Sequence, residues 1–136
     1  MKINHLNLTV TDVAAAKKFL ETYFGLGCSL NLGNAMVGMY DDDGFLLNLM
    51  KGKDVNYPKT FHVGFPQETK EKVDALNQRL KADGFEVEEP ALSHGSYTFY
   101  LQAPGGFTIE AYCLIEGEDP TAGKIPSFGK TKGTSF

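Results

Sequence analysis

The sequence predicts an α+β domain made of two βαβββ modules, and three observations predict it. An alternating apolar segment around His5 recurs around His62, 57 positions later. Each copy is followed by an amphipathic helical stretch that ends near a glycine, Gly25 in one and Gly84 in the other. Two strand pairs closed by turn-rich clusters, residues 41–44 and 103–106, then repeat at a constant offset of 62.

The elements follow in order. Ile3-Asn4-His5-Leu6-Asn7-Leu8 alternates as a strand does, with Leu6, Leu8 and Val10 on the side that must pack on the helices. Thr11 and Asp12 are N-cap candidates for a first helix of about three turns. Val13, Ala16, Phe19, Leu20 and Phe24 recur along it at helical spacing, and Gly25 ends it. Met36-Val37-Gly38-Met39-Tyr40 and Gly44-Phe45-Leu46-Leu47-Asn48 form a hairpin about Asp41-Asp42-Asp43, which lacks the spaced ligands of a calcium loop and reads as a solvated turn.

In the second module Phe61-His62-Val63-Gly64-Phe65 is the opening strand, with Phe61, Val63 and Phe65 on its apolar side. A helix runs from about Thr69, with Val73, Leu76 and Leu80 on one stripe, to Asp83-Gly84. Glu86-Val87-Glu88-Glu89 reads as a polar strand edge before Pro90. Thr98-Phe99-Tyr100-Leu101-Gln102 and Gly106-Phe107-Thr108-Ile109-Glu110 make the matching hairpin, so Glu110 is the counterpart of Asn48. One domain over residues 1–115 results, with modules at about 1–55 and 58–115. Residues 116–136, rich in Gly, Pro, Thr, Ser and Lys with isolated Ile125, Phe128 and Phe136, form a C-terminal tail or packing arm.

Composition excludes several classes. A chain of 136 residues that is 42% hydrophobic, with ten Phe and six Tyr, has enough apolar material for one core and is not disordered throughout. Thirteen Lys plus Arg stand against 17 Asp plus Glu, net −4, and the single Arg is Arg79, so there is no basic cluster for nucleic acid. Cys28 and Cys113 are too few for a disulfide framework or a four-thiolate metal site. No stretch nears the ~20 apolar residues that span a bilayer, and a soluble cytoplasmic protein without membrane contact is expected.

Strand alternation groups the polar side chains. His5 and Asn7 lie opposite the apolar face of the first strand, as His62 and Gly64 do in the second module. In the last strand Ile109, Ala111 and Cys113 turn to the core while Thr108, Glu110 and Tyr112 turn away, and in its counterpart Leu46, Asn48 and Met50 turn away. His5, His62 and Glu110 thus project from one face of a pseudo-symmetric sheet. Two imidazoles and one carboxylate are the ligand set of an open metal site, which leaves positions for water or substrate. The donors suit divalent Fe, Mn, Ni, Zn or Co.

These residues resemble the vicinal oxygen chelate superfamily, which contains glyoxalase I, bleomycin resistance proteins, fosfomycin resistance enzymes and extradiol dioxygenases. The resemblance rests on the His5 strand, the His62 strand and Tyr100-Leu101-Gln102-Ala103-Pro104-Gly105-Gly106-Phe107-Thr108-Ile109-Glu110. It implies two βαβββ modules forming a curved mixed sheet around a cleft for a small molecule, usually in a homodimer. It also implies metal ligands at His5, His62 and Glu110, with Asn7, Asn48, Thr108 and Tyr112 lining the substrate cleft.

Departures from the family's patterns narrow the activity. Asn48 stands where glyoxalase I-like isomerases use a further ligand and a carboxylate base, and an amide is no base at neutral pH. No cation stands between Ala91 and Glu110 to hold a phosphonate. His94, Tyr100, Pro104, Gly106 and Glu110 follow the order of the extradiol signature, although His94 is one residue too close to Phe99. Extradiol-type dioxygenation, with His94 and Tyr100 as catalytic groups, is therefore the first expectation. A metal-dependent lyase, isomerase or thiol transferase and a non-catalytic drug-binding protein of the bleomycin resistance type are the alternatives.

Overall fold

The computed structural model describes residues 1–115, so the expected tail, 116–136, lies outside the described residues. Two four-stranded mixed sheets and two helices make up the described chain, in the predicted order βαβββ twice. By contacts it divides into two units. One comprises Met1–Phe61 with Gln102–Phe107, and the other comprises His62–Leu101 with the chain from Thr108 onward. Among the described residues no helix is long and apolar enough to cross a membrane.

The first unit runs β1 (His5–Val10), α1 (Val13–Phe24), β2 (Gly27–Asn31), β3 (Met36–Tyr40) and β4 (Leu46–Lys51). Its sheet order is β1-β4-β3-β2, with β1 parallel to β4 and the other pairs antiparallel. Asp12 caps α1 by accepting the Ala15 amide at 3.0 Å, and Gly25, at φ 69°, ends it in the left-handed region where a side chain would be strained. Val13, Ala16, Phe19 and Leu20 are buried together with Leu8, Val10, Leu47 and Leu49. Asp41 holds the β3–β4 turn as anticipated, its carboxylate accepting the amides of Asp43 and Phe45.

Leu6 departs from the expected core face, being 38% exposed. It lies in the first pleat of β1, which among the described residues is an edge strand paired with β4, and burial begins two residues later at Leu8. The free edge of β1 is blunted locally, because the Tyr57 hydroxyl accepts the Thr9 amide and donates to the Thr9 carbonyl, both at 2.8 Å.

The Pro104-Gly105-Gly106 turn packs with this first unit. Gly105 accepts the Thr11 amide at 3.0 Å, and a Cβ built on it would stand 3.0 Å from the Cβ of Val10. The glycine-rich stretch of the motif therefore has a packing role, letting backbone approach backbone over the α1 N-terminus.

The second unit carries β5 (Val63–Pro66), α2 (Lys70–Ala82), β6 (Ala91–Ser93), most of β7 (Ser96–Ala103) and nearly all of β8 (Phe107–Leu114), in sheet order β5-β8-β7-β6. Thr69 caps α2 through the Lys72 amide at 3.1 Å. Val73, Leu76 and Leu80 are buried, as are Phe99, Leu101, Ile109, Ala111 and Cys113. Two strand expectations shift. His62 lies just before β5, which begins at Val63, and the Glu86 to Glu89 run is not a strand. Instead, Asn77 of α2, fully buried, ties that run down by donating to the Glu88 carbonyl at 2.7 Å, a bond that takes the place of strand pairing.

Candidate functional site

The site is built on the open face of the second sheet. In β8 the side chains alternate, burying Phe107, Ile109, Ala111 and Cys113 and leaving Thr108, Glu110 and Tyr112 half-buried on the other side. The parallel register sets Val63 beside Ile109 and Gly64 beside Glu110. His62, two residues before Gly64, consequently projects on the Glu110 side. A Cβ on Gly64 would stand 3.3 Å from the Tyr112 ring, so the glycine leaves room for that ring beside Glu110.

His62 Nε2 stands 3.3 Å from Glu110 Oε1. A charge-assisted N–H···O bond closes to about 2.8 Å, so this pair is loose for a direct bond. Two ligand atoms each ~2.1 Å from one ion and about 100° apart stand roughly 3.2 Å from each other. The separation is therefore one that two ligands of a shared divalent ion would also have.

Three neighbours shape the carboxylate's surroundings. Thr98, buried in β7, donates from Oγ1 to Glu110 Oε2 at 2.6 Å. The Tyr100 ring meets the His62 ring edge-on, with centroids 5.5 Å apart and planes at 89°. Burial first, and then the charge of and hydrogen bonding to Glu110, raises the Tyr100 phenol above its ordinary pKa. Burial followed by the Glu110 charge pushes Tyr112 up to about 12. Both phenols are therefore neutral hydrogen-bond donors at pH 7.

His5 lies in the first unit and is exposed. Its Nδ1 is 2.7 Å from Asn4 Oδ1. With the amide oxygen accepting, Nδ1 carries the proton and Nε2 presents a lone pair, the tautomer that an orienting partner gives a metal-binding histidine. On the open face of the same unit Asn48 is hydrogen-bonded to Asn7.

Of the expected site residues, the structure gathers His62, Glu110 and Tyr100, with Tyr112 beside them on the same face. Among the described residues no three His, Cys, Asp or Glu side chains gather within reach of one ion. His94 occupies the tip of the β6–β7 hairpin, at φ 52° with Gly95 at φ 75° between the paired Ser93 and Ser96. That is a two-residue turn with both central residues left-handed, and it accounts for the His-Gly pair conformationally. Thr98 was not among the expected site residues. Alternation places it on the Tyr100 side of β7, but only the hydrogen-bond geometry shows what it holds.

Comparisons with known proteins agree with this architecture. The family model of the Glyoxalase/Bleomycin resistance protein/Dioxygenase superfamily matches residues 2–111. A solved structure of a possible glyoxalase from Bacillus cereus is 67% identical, with TM-score 0.79, covering 83% of this chain and 99% of that one. Lactoylglutathione lyase from Agrobacterium tumefaciens is 26% identical, with TM-score 0.67, covering 82% of this chain and 92% of that one. A genomically encoded fosfomycin resistance protein from Listeria monocytogenes shares the fold at 21% identity and TM-score 0.72, covering 87% and 97%. No curated protein matches the sequence.

Proposed function

The chain belongs to the glyoxalase/bleomycin resistance protein/dioxygenase superfamily, and within it we propose that it is a divalent-metal-dependent enzyme acting on a small molecule through two adjacent substrate oxygens. The observation that carries this reading is the 3.3 Å approach of His62 Nε2 to Glu110 Oε1, at the separation of two ligands on one ion. In this reading His5, held by Asn4, is the third ligand, and Fe, Mn, Ni, Zn and Co are the candidate ions. A bound ion would act as a Lewis acid on the chelating oxygens and stabilise the anion that forms on the substrate.

The chain's own groups do the remainder. Tyr100, kept neutral by burial and by Glu110, holds its one phenol proton at the carboxylate, from which it turns to a substrate oxygen as negative charge develops there. Tyr112 and Thr108 flank Glu110 on the open face of the second unit, and Asn7 and Asn48 are the uncharged polar pair on the open face of the first. His94, at its hairpin tip, and Tyr100 are the candidate acid–base groups.

The placement of Tyr100 against both His62 and Glu110 supports extradiol-type oxygenation, in which both atoms of O₂ enter a catechol as its ring opens. The 26% identity to a lactoylglutathione lyase supports a lyase as the second reading. The exposed Leu30, Tyr40 and Met50 of the first sheet support a homodimer.

Purified protein loaded separately with each of the five ions tests the proposal. Wild type is expected to take up about one ion per chain at micromolar concentration, and Glu110→Ala and His62→Ala to lose it. Oxygen uptake by the Fe(II) form with a catechol panel identifies the dioxygenase, and turnover of a glutathione hemithioacetal identifies the lyase. Ligand binding without turnover of either would move the protein to the bleomycin resistance type. Failure of wild type to take up any of the ions would overturn the metal reading.

A further inference from the structure

We propose that Thr98 is a positioning residue that locks the Glu110 carboxylate so that a single oxygen, Oε1, is presented beside His62. The inference rests on the reading of Glu110 as a ligand.

A threonine hydroxyl has one proton to give, and two acceptors lie near Thr98 Oγ1. Glu110 Oε2 is at 2.6 Å, whereas the Ala111 carbonyl is at 3.4 Å. The shorter distance is that of an O–H···O⁻ bond to a charged acceptor, and the longer one is at the limit of a neutral bond. The proton therefore goes to the carboxylate. Thr98 is itself 5% exposed and lies within β7, so its hydroxyl is shielded from water that would compete for the carboxylate.

Engaging Oε2 has a geometric consequence. The other oxygen, Oε1, is the one at 3.3 Å from His62 Nε2. A carboxylate fixed in this way is set to ligate through one oxygen, which keeps a coordination position open for substrate.

The first unit provides the internal comparison. At the offset of 62 the counterpart of Thr98 is Met36, and that of Glu110 is Asn48. Met36 has no hydroxyl, and the Asn48 amide turns to Asn7 instead. The hydroxyl thus occurs in the unit that carries the carboxylate, at the position from which it reaches it.

The test compares Thr98→Val, which removes the hydroxyl and keeps the shape, with Thr98→Ser, which keeps the hydroxyl. Zn(II) affinity is measured by competition, Co(II) coordination by visible absorption, and folding of the metal-free proteins by thermal unfolding. Thr98→Val is expected to bind Zn(II) roughly 10- to 100-fold more weakly, with a weaker Co(II) band as Glu110 turns to ligate through both oxygens. Thr98→Ser is expected to restore both to within about threefold of wild type, the band being the signature that lost packing alone would not change. Wild-type affinity and spectrum in a folded Thr98→Val overturn the inference while leaving the metal reading intact. No metal uptake by wild type itself overturns both. If Thr98→Val does not fold, Thr98→Ser decides the matter: wild-type binding and spectrum support the inference, and impaired binding in a folded Ser variant overturns it.

Discussion

Asn48 donates a 2.8 Å hydrogen bond to Asn7 across the parallel β1–β4 pair, at the register position where the second unit sets Glu110 beside Gly64. The two modules thus share a backbone ladder and differ in what it carries. One holds two amides joined by a hydrogen bond, and the other holds a carboxylate beside a position with no side chain.

The amide pair predicts a small effect on stability. Asn7 is exposed and Asn48 half-buried, so either amide can turn to water when its partner is lost. Asn48→Ala is expected to cost about 0.5–1 kcal/mol in urea unfolding. A loss several times larger would show that the pair is part of the core rather than of the open face.

Two glycines with positive φ should separate strain from packing. Gly25→Ala introduces a Cβ that meets nothing within 4 Å at φ 69°, so it is expected to cost about 1 kcal/mol for the left-handed backbone alone. Gly105→Ala, at φ 99°, also drives its Cβ to 3.0 Å from Val10 and 3.4 Å from Ala16. It is expected to cost more, roughly 2–4 kcal/mol from strain and overpacking together. Equal shifts in the two unfolding midpoints would contradict the packing role given to the Pro-Gly-Gly turn.

The two thiols should react differently. Burial first, then the nearby Glu71 carboxylate, raises the Cys113 thiol despite an opposing effect of Lys70. Cys113 is 8% exposed, whereas Cys28 is half-buried. At pH 8 iodoacetamide is expected to modify Cys28 well before Cys113, as read by peptide mass spectrometry. The folded state holds the Cys113 proton more tightly than the unfolded chain does. This site's contribution to stability is therefore complete below the ordinary thiol range and is lost as pH rises through the raised value. Cys113→Ala is expected to flatten that part of the alkaline stability profile.

Much of the architecture was legible because its signals are local. The periodicity of Val13, Ala16, Phe19 and Leu20, the caps at Asp12 and Thr69, and the alternation along β8 follow from backbone geometry. Each emerged within a residue or two of its expected place. Leu6 and the Glu86 to Glu89 run were misplaced because an edge strand's first pleat and a side-chain latch from α2 depend on elements distant in sequence.

For the site, alternation alone determined that His62, Tyr100, Glu110 and Tyr112 leave the core, since side chains in a strand can point only two ways. The repeat offsets determined the counterpart positions His5 and Asn48. Tertiary structure decided what alternation cannot: the 3.3 Å approach of His62 to Glu110, the Thr98 hydrogen bond to Oε2, and the place of His94 at a hairpin tip. Those depend on which strands become neighbours and on distances of tenths of an ångström. Hydrogen bonding and metal ligation are steep functions of distance, whereas the sequence pattern is periodic and carries only direction.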